Sequence, residues 1–589
     1  MRDAYPNDKT GSAPFRSPAR LDVIIASAVA LLAGFIFYPF ASIGVDPHHD
    51  GIMLKPALDV FSGQVIFRDS FSQYGPLTTY LQALVLRIQP TLLSLRLLTV
   101  AAYAGSLFFL YLAWRSILPR SLGVVASIIF IISAPFLDPF WGMLPWSSVL
   151  ALFFQSVAIF ALLRIVAGHA IASYSWTLGI ACACTFLCRQ PVGIILTGSV
   201  AVIAVALHGV GWRSSDGASW RVWGRVATGF GVIMMLILGH LAIYGAIGAW
   251  WEQNILWPSR WASGIDKRNM PFLAGQYLRL DYATILLVVL LFGWGPPLFR
   301  LYLIPRSIWI DFVWWGILVV GYLFFVQLGD ISWLLLPNGG WAGLILGLIC
   351  LQSLLVLVTA IRNRPKVSGY YILAAFSVLA LGSAVQVYPL PDPNHIYWAL
   401  APGFGIFVYF CWRCSGAKIL GCGLFLLLLM IPAAYYKYVE AKVTFAQPLI
   451  KLDSPPSLCG MKVNLPLAQA LQRIDAVIKP LLASNSDRAG LLYGDDALYL
   501  TWFKNPVNPS PYYVAWAGLI PQMDQLQRLN FLAEQKPVLF LHKYGVNSLE
   551  EMGVVKLLQA VNYRILHSEL ELSLFIAVPA DPKPVTLSH

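Results

Sequence analysis

The sequence is short of charge. Asp, Glu, Lys and Arg make up 12% of its 589 residues, about half of the roughly 25% usual in a soluble domain. So few charges cannot cover the surface of a soluble protein of this size, and that class is excluded. Acidic residues are the scarcer, 28 against 40 Lys and Arg, which leaves a formal charge of +12. The cations gather nowhere into one basic patch, so nucleic acid is not an expected partner. A P-loop, a GxGxxG turn after a strand, heptads and a fixed-period repeat are also missing, so no nucleotide site is indicated. Of the eight cysteines, all but Cys459 lie in or beside apolar segments. Cys411 and Cys414 have CxxC spacing without a second pair, which argues against a zinc site. The N-terminal stretch 1–20 is polar and Pro-containing, a disordered tail rather than a cleavable signal peptide.

Apolar and aromatic residues are abundant instead: 58% hydrophobic, 21 Trp and 26 Tyr, with a mean hydropathy of +0.69. Long apolar runs with aromatic belts describe a polytopic α-helical membrane protein. Thirteen runs qualify as spans: 21–44, 94–114, 121–137, 146–167, 174–188, 191–208, 225–248, 282–299, 307–327, 340–361, 369–388, 396–412 and 418–436. Arg189-Gln190-Pro191 divides the fifth from the sixth, because proline disfavours helix in its predecessor and an arginine in lipid is costly. Lys and Arg occupy every segment that faces inside if the N-terminus is cytoplasmic. The outer segments 138–145, 328–339 and 389–395 carry none. The positive-inside rule therefore places the N-terminus inside and the C-terminus outside. Two outer loops are long, 45–93 and 249–281. After residue 436 the composition becomes that of a soluble α/β unit (437–589), with strands at Ala489–Tyr493, Val538–His542 and Leu572–Val578 and helices at 466–482 and 547–560.

The first outer loop concentrates chemistry: Asp46-Pro-His-His-Asp50-Gly, then Lys55, Arg68-Asp69 and Gln73-Tyr74-Gly-Pro-Leu77. A carboxylate beside imidazoles at a membrane surface suits general-base work toward a hydroxyl. Asp46, His49 and Asp50 also offer the oxygen and nitrogen ligands of a divalent metal cation. The plain alternative is a polar turn after a helix.

A span, an acidic motif, Ala57-Leu-Asp-Val-Phe-Ser-Gly63, Tyr74-Gly-Pro-Leu77 and Leu95-Arg-Leu97 together resemble the GT-C superfamily of glycosyltransferases. The nearest branch holds the bacterial protein-mannosyltransferase-like and lipid A aminoarabinose transferase-like enzymes. The resemblance covers about residues 20–200. It implies an integral inner-membrane enzyme with a catalytic acidic residue in the first extracytoplasmic loop. Such an enzyme moves a sugar from a polyprenyl-phosphate donor to a glycan, lipid or protein acceptor on the outer face. The family's Asp-Glu stands here as Asp50-Gly51 and its Pro-Pro-Leu as Gly75-Pro76-Leu77. The family's aspartate maps onto Asp50, with Asp46 as a second candidate.

Further polar groups face the same side. Arg189 is placed to hold a lipid-linked phosphate bidentately, and equally to snorkel to headgroups. His395, Arg68 and Arg260 are further phosphate candidates. His48, His49, Tyr74, Asp138 and Asp392 are supporting or acceptor-side candidates. Asp392 and His395 lie in a Pro-rich outer segment, and Arg260 follows aromatic residues in the loop 249–281. A transporter or flippase is the rival reading. It calls for ionisable groups near the midplane and an internal repeat, whereas here they crowd one surface.

Overall fold

The computed structural model describes residues 19–134, 143–169, 171–209, 219–264, 349–358, 368–387, 393–414, 441–484, 490–494, 496–503, 534–542 and 554–580. It also describes Leu426, Tyr438, Asn530 and Leu532. A long apolar run must satisfy its own backbone, so it forms helix. Six described helices are long and apolar enough to cross a membrane: α1 (Arg20–Ala41), α4 (Leu92–Trp114), α6 (Ser147–Val166), α7 (Ile171–Cys188), α8 (Gln190–Gly209) and α9 (Ser219–Ile243). They coincide with six of the thirteen expected runs. Of the remaining described ones, α5 (Arg120–Ile132), α12 (Ile349–Val358) and α13 (Ser368–Ala384) are shorter, while α14 spans Pro393–Cys414. The runs at 282–299 and 307–327, and 418–436 apart from Leu426, lie outside the described residues, so the number thirteen stays an expectation. The most enclosed span is α6, with 83% of its apolar window buried, and α9 is peripheral at 11%. The division at Arg189 is observed: α7 ends at Cys188 and α8 begins at Gln190.

One end of the bundle is marked by Asp22, which accepts from Arg115 Nε (3.0 Å) and Arg120 Nε (2.8 Å). The opposite end carries the site. There the segment 45–93, expected as a loop, folds into α2 (His49–Phe61) and α3 (Pro76–Leu86). Inside α2 a buried Lys55 donates to Asp59 (2.5 and 2.7 Å), and the Ser70 hydroxyl adds a third bond to that carboxylate (2.6 Å). Such hydrogen bonds offset the cost of taking two charges out of water. The segment 249–281 is likewise folded where described, as α10 (Ile247–Trp251), a π-helical turn (Glu252–Leu256) and α11 (Trp257–Gly264). The π turn aims two buried amides at the chain after α2. Gln253 accepts from the Ser72 N–H (3.1 Å) and donates to Phe67 O (2.8 Å). Asn254 donates to Ser72 O (3.0 Å) and accepts from Gln190.

The C-terminal unit contains a four-stranded sheet of β3 (Gly490–Tyr493), β4 (Val538–His542), β5 (Tyr563–Glu569) and β6 (Leu574–Pro579) in the order β3-β4-β6-β5. β3 and β4 run parallel and the other pairs antiparallel. Two short antiparallel strands, β1 (Leu449–Lys451) and β2 (Lys462–Asn464), precede α15 (Leu465–Ser484). Three of the expected strands and the helix at 466–482 therefore appear within a few residues of their expected places. Of the helix expected at 547–560, α16 (Val555–Ala560) is observed, and 547–553 lie outside the described residues.

This unit is fused to the first loop segment. Gly44 N–H donates to Lys462 O (2.8 Å) and Lys462 N–H to Ser42 O (2.6 Å). Val45, Ile52, Met53 and Leu54 share one apolar core with Leu458, Met461, Leu471 and Leu498. The 3-10 turn Ala497–Trp502 lies directly on the start of α2. At the contact stands Gly51, where a Cβ would fall 2.2 Å from the Leu498 nitrogen and 2.9 Å from the Ala497 carbonyl carbon. Those are backbone atoms and cannot yield locally. Gly51→Ala is therefore expected to destabilise the protein by about 1–3 kcal/mol, read as a lowered thermal midpoint and faster proteolysis of the C-terminal unit. An unchanged midpoint would mean that the two parts slide freely.

Candidate functional site

The chain leaving α1 turns at Asp46, whose Oδ1 accepts the N–H groups of His48 (2.9 Å) and His49 (2.8 Å). Its Oδ2 takes His49 Nδ1 at 2.8 Å. An ionised carboxylate only accepts, so the His49 proton sits on Nδ1 and Nε2 carries the lone pair. Burial pushes the Asp46 carboxyl up, but the side-chain and backbone hydrogen bonds from His49 outweigh it and hold the group below its ordinary range. Both side chains reach the surface, at 14% and 22% exposure.

Asp50, expected to be the base, is sealed instead. It has 0% exposure, and both oxygens face Arg96 of α4, at 2.5 Å from Nη2 and 3.3 Å from Nε. It also takes the Asp46 N–H (2.8 Å), while Arg96 Nη1 donates to Ile43 O (2.8 Å). Burial holds the Asp50 carboxyl above its ordinary range, outweighing the opposite pull of Arg96 and the Asp46 N–H. With no surface and a guanidinium across it, Asp50 ties the loop to α4. The family-mapped aspartate is thus structural in its contacts, and Asp46 is the one beside accessible imidazole.

Aromatic rings connect Asp46 and His49 to a second polar group. The His49 ring lies 4.9 Å from Trp146, which stands 6.2 Å from Tyr74 and 6.4 Å from Trp398. Trp398 is held by its indole N–H to Tyr103 Oη (3.0 Å). Its ring lies 5.3 Å from His395 and 5.7 Å beneath the Arg189 guanidinium. Arg189 Nη2 lies 2.6 Å from His395 Nε2, and Nη1 donates to the Ser148 hydroxyl. A guanidinium only donates, so Nε2 accepts and the neutral His395 carries its proton on Nδ1. Next to Ser148, at the start of α6, the fully buried Ser147 hydroxyl has no hydrogen-bond partner among the described residues.

The positions are set locally. Gly75 N–H donates to Cys188 O (3.1 Å), as does the Thr78 hydroxyl (3.3 Å), which brings Tyr74 against the turn that bears Arg189. At Gly75 a Cβ would lie 2.0 Å from Leu187 O. Only glycine allows that approach, which accounts for Gly75 where the resembled family has proline. Gln82 of α3 donates to Pro145 O (2.8 Å) and fixes the residue before Trp146.

Of the expected residues, Asp46, His49, Tyr74, Arg189 and His395 come together. His48 lies edge-on to His49, ring centroids 4.7 Å apart. Arg68 is engaged elsewhere. It pairs with Asp69 (2.8 Å) and donates to Tyr244 O (3.1 Å). Arg260 is exposed on α11. Asp138 and Asp392 lie outside the described residues. The divalent cation expected at Asp46, His49 and Asp50 does not fit. The Asp46 oxygens are occupied by N–H donors, those of Asp50 face a guanidinium, and no group of three metal-ligating side chains occurs among the described residues. Sequence reasoning missed Trp146, Ser148 and Trp398. A Pro-Trp-Ser-Ser start to a span was the available signal for the first two, and Trp398 reads as one more belt aromatic.

No family model matches the chain, and no curated protein matches it. Among solved structures it is similar to the oligosaccharyltransferase of Archaeoglobus fulgidus, crystallised as a complex with Zn and sulfate: 15% identity, 88% of this chain and 68% of that one, TM-score 0.47. It is also similar to ArnT from Cupriavidus metallidurans, bound to undecaprenyl phosphate and in the apo state, each at 14% identity over 94% of this chain and 97% of that one, TM-score 0.40.

Proposed function

We propose that the chain is an integral-membrane glycosyltransferase of the GT-C type. It takes a sugar from a polyprenyl-phosphate donor and passes it to a hydroxyl of a glycan, lipid or protein acceptor on the outer face of the membrane. The observation that carries this reading is the pairing of Asp46–His49 with Arg189–His395–Ser148 across the rings of Trp146, Tyr74 and Trp398. The first is a base held in one tautomer by a carboxylate, the arrangement of a catalytic carboxylate–imidazole pair. The second is an anion site built of a guanidinium, an imidazole and a hydroxyl. Between them lie flat apolar faces suited to the C–H surface of a sugar.

The reaction then runs as one displacement. His49 Nε2 takes the acceptor hydroxyl proton, and the oxygen bonds to the anomeric carbon. The bond from that carbon to the phosphate oxygen breaks, and polyprenyl phosphate leaves with the electron pair. Arg189 and Ser148 stabilise the charge that develops on it. The polyprenyl chain lies in the bilayer, and no nucleotide is needed because the lipid phosphate is itself the leaving group.

The test is transfer of a labelled sugar from polyprenyl phosphate by the purified protein in proteoliposomes. His49→Gln is expected to lower kcat by about 100-fold, the usual worth of a positioned base, with assembly unchanged by size-exclusion chromatography. Full transfer by His49→Gln would sink the base assignment. Donor-independent solute uptake, with no sugar transfer by the wild type, would favour a transporter instead.

A further inference from the structure

We infer that Asp496, carried by the C-terminal unit, is a positioning residue for the imidazoles of the first loop segment, so that the site is incomplete without that unit. The inference rests on the glycosyltransferase reading for its kinetic consequence and on geometry alone for the contact. Asp496 follows β3, and its partner His542 is the last residue of the parallel strand β4. The carboxyl ends of parallel strands are where open α/β sheets place their functional groups. Here those ends face not solvent but the first loop segment.

Asp496 is buried, with Oδ2 3.2 Å from His542 Nε2 and Oδ1 3.8 Å from His48 Nδ1. Burial holds His542 down at about 4, so this imidazole stays neutral and does not cancel the carboxylate. Asp496 therefore acts on the other side, toward His48. The approach is fixed by backbone: Leu498 N–H donates to Pro47 O (3.3 Å), next to His48.

His48 in turn meets His49 edge-on at 4.7 Å. The order in space is Asp496, His48, His49, Asp46, two imidazoles between two carboxylates. When His49 takes a proton, the imidazolium has Asp46 at 2.8 Å on one side. On the other, His48 must present a ring that does not oppose the new charge. A carboxylate 3.8 Å from His48 Nδ1 favours a proton on that nitrogen. The soluble part of the chain thereby sets the ring state of a residue adjacent to the proposed base, although Asp496 is itself too enclosed to touch a substrate.

The experiment uses the full-length protein in nanodiscs with 15N-labelled histidine. The His48 ring nitrogens are assigned through His48→Gln and then followed in Asp496→Asn and Asp496→Glu. The expected result is that Asp496→Asn moves the His48 ring-nitrogen signals and Asp496→Glu restores most of the shift. In the transfer assay Asp496→Asn is expected to lose about tenfold or more in kcat, as when the group orienting a general base is removed, with KM within about threefold. Unmoved His48 signals in Asp496→Asn overturn the inference, and so does an unchanged kcat. If Asp496→Asn does not fold, Asp496→Ser carries the test, because it too removes the carboxylate and must move the His48 signals. If the wild type transfers no sugar, the functional reading fails, while the ring signals still decide the positioning role.

Discussion

Arg96→Met lowers the stability of the protein by about 3–5 kcal/mol, the cost of stranding a buried charge by removing its partner. Asp50 and Arg96 are both within 1% of complete burial and bonded through two nitrogens. Methionine fills the volume of the arginine stem but leaves the Asp50 carboxylate facing apolar side chains with one N–H, that of Asp46. Ile43 O loses its donor too. The double variant Asp50→Asn with Arg96→Met removes the stranded charge and is expected to regain most of the loss. Thermal midpoints of the detergent-solubilised variants measure this. A single variant as stable as the double one would show that the pair adds nothing to the fold.

Arg189→Ala is expected to lower kcat/KM for sugar transfer by about 100- to 1,000-fold, the range for removing a preorganised donor from a developing anion. Three contacts disappear together: the bonds to His395 and Ser148 and the stacking on Trp398. Arg189→Lys keeps the charge but not the fork, so it recovers only part of the activity. Because the side chain lies at a turn between α7 and α8 and is not sealed in the core, the thermal midpoint is expected to change little. A large stability loss with normal transfer would reassign Arg189 to structure.

Much of the architecture was legible because it rests on local physics. The turn at Arg189-Gln190-Pro191 follows from proline sterics and the cost of an arginine in lipid, and it lies where expected. The strands at 490–493 and 538–542 follow from short apolar runs between polar ones. That the outer segment 45–93 folds into helices was not legible because α2 is held by tertiary bonds, the buried Asp50–Arg96 pair with α4 among them. Its charges read as solvent-facing until Ser70 and the neighbouring helices enclose them.

At the site, the choice between Asp46 and Asp50 could not be made from spacing. It depends on Arg96, a residue of α4 that the motif Leu95-Arg-Leu97 displayed without saying where its side chain goes. An arginine inside an apolar run was a usable signal, since such a charge needs a partner. Asp496 and His542 carried no comparable mark, because their significance comes from a contact with His48 across most of the chain.

That contact has a cost in time. Pro47 and His48 leave the ribosome about 450 residues before the Leu498 nitrogen that binds Pro47 O. At about 5–20 residues per second this is a wait of some 20–90 s. For most of it, Val45, Ile52 and Leu54 have no opposing core from Leu458, Met461 and Leu498. A nascent chain stalled before residue 490 would hold its spans yet expose an unfinished apolar face. Closing the unit that carries Leu498 over the segment that carries Pro47 is thus a late step, one that must wait for some 450 residues of intervening chain.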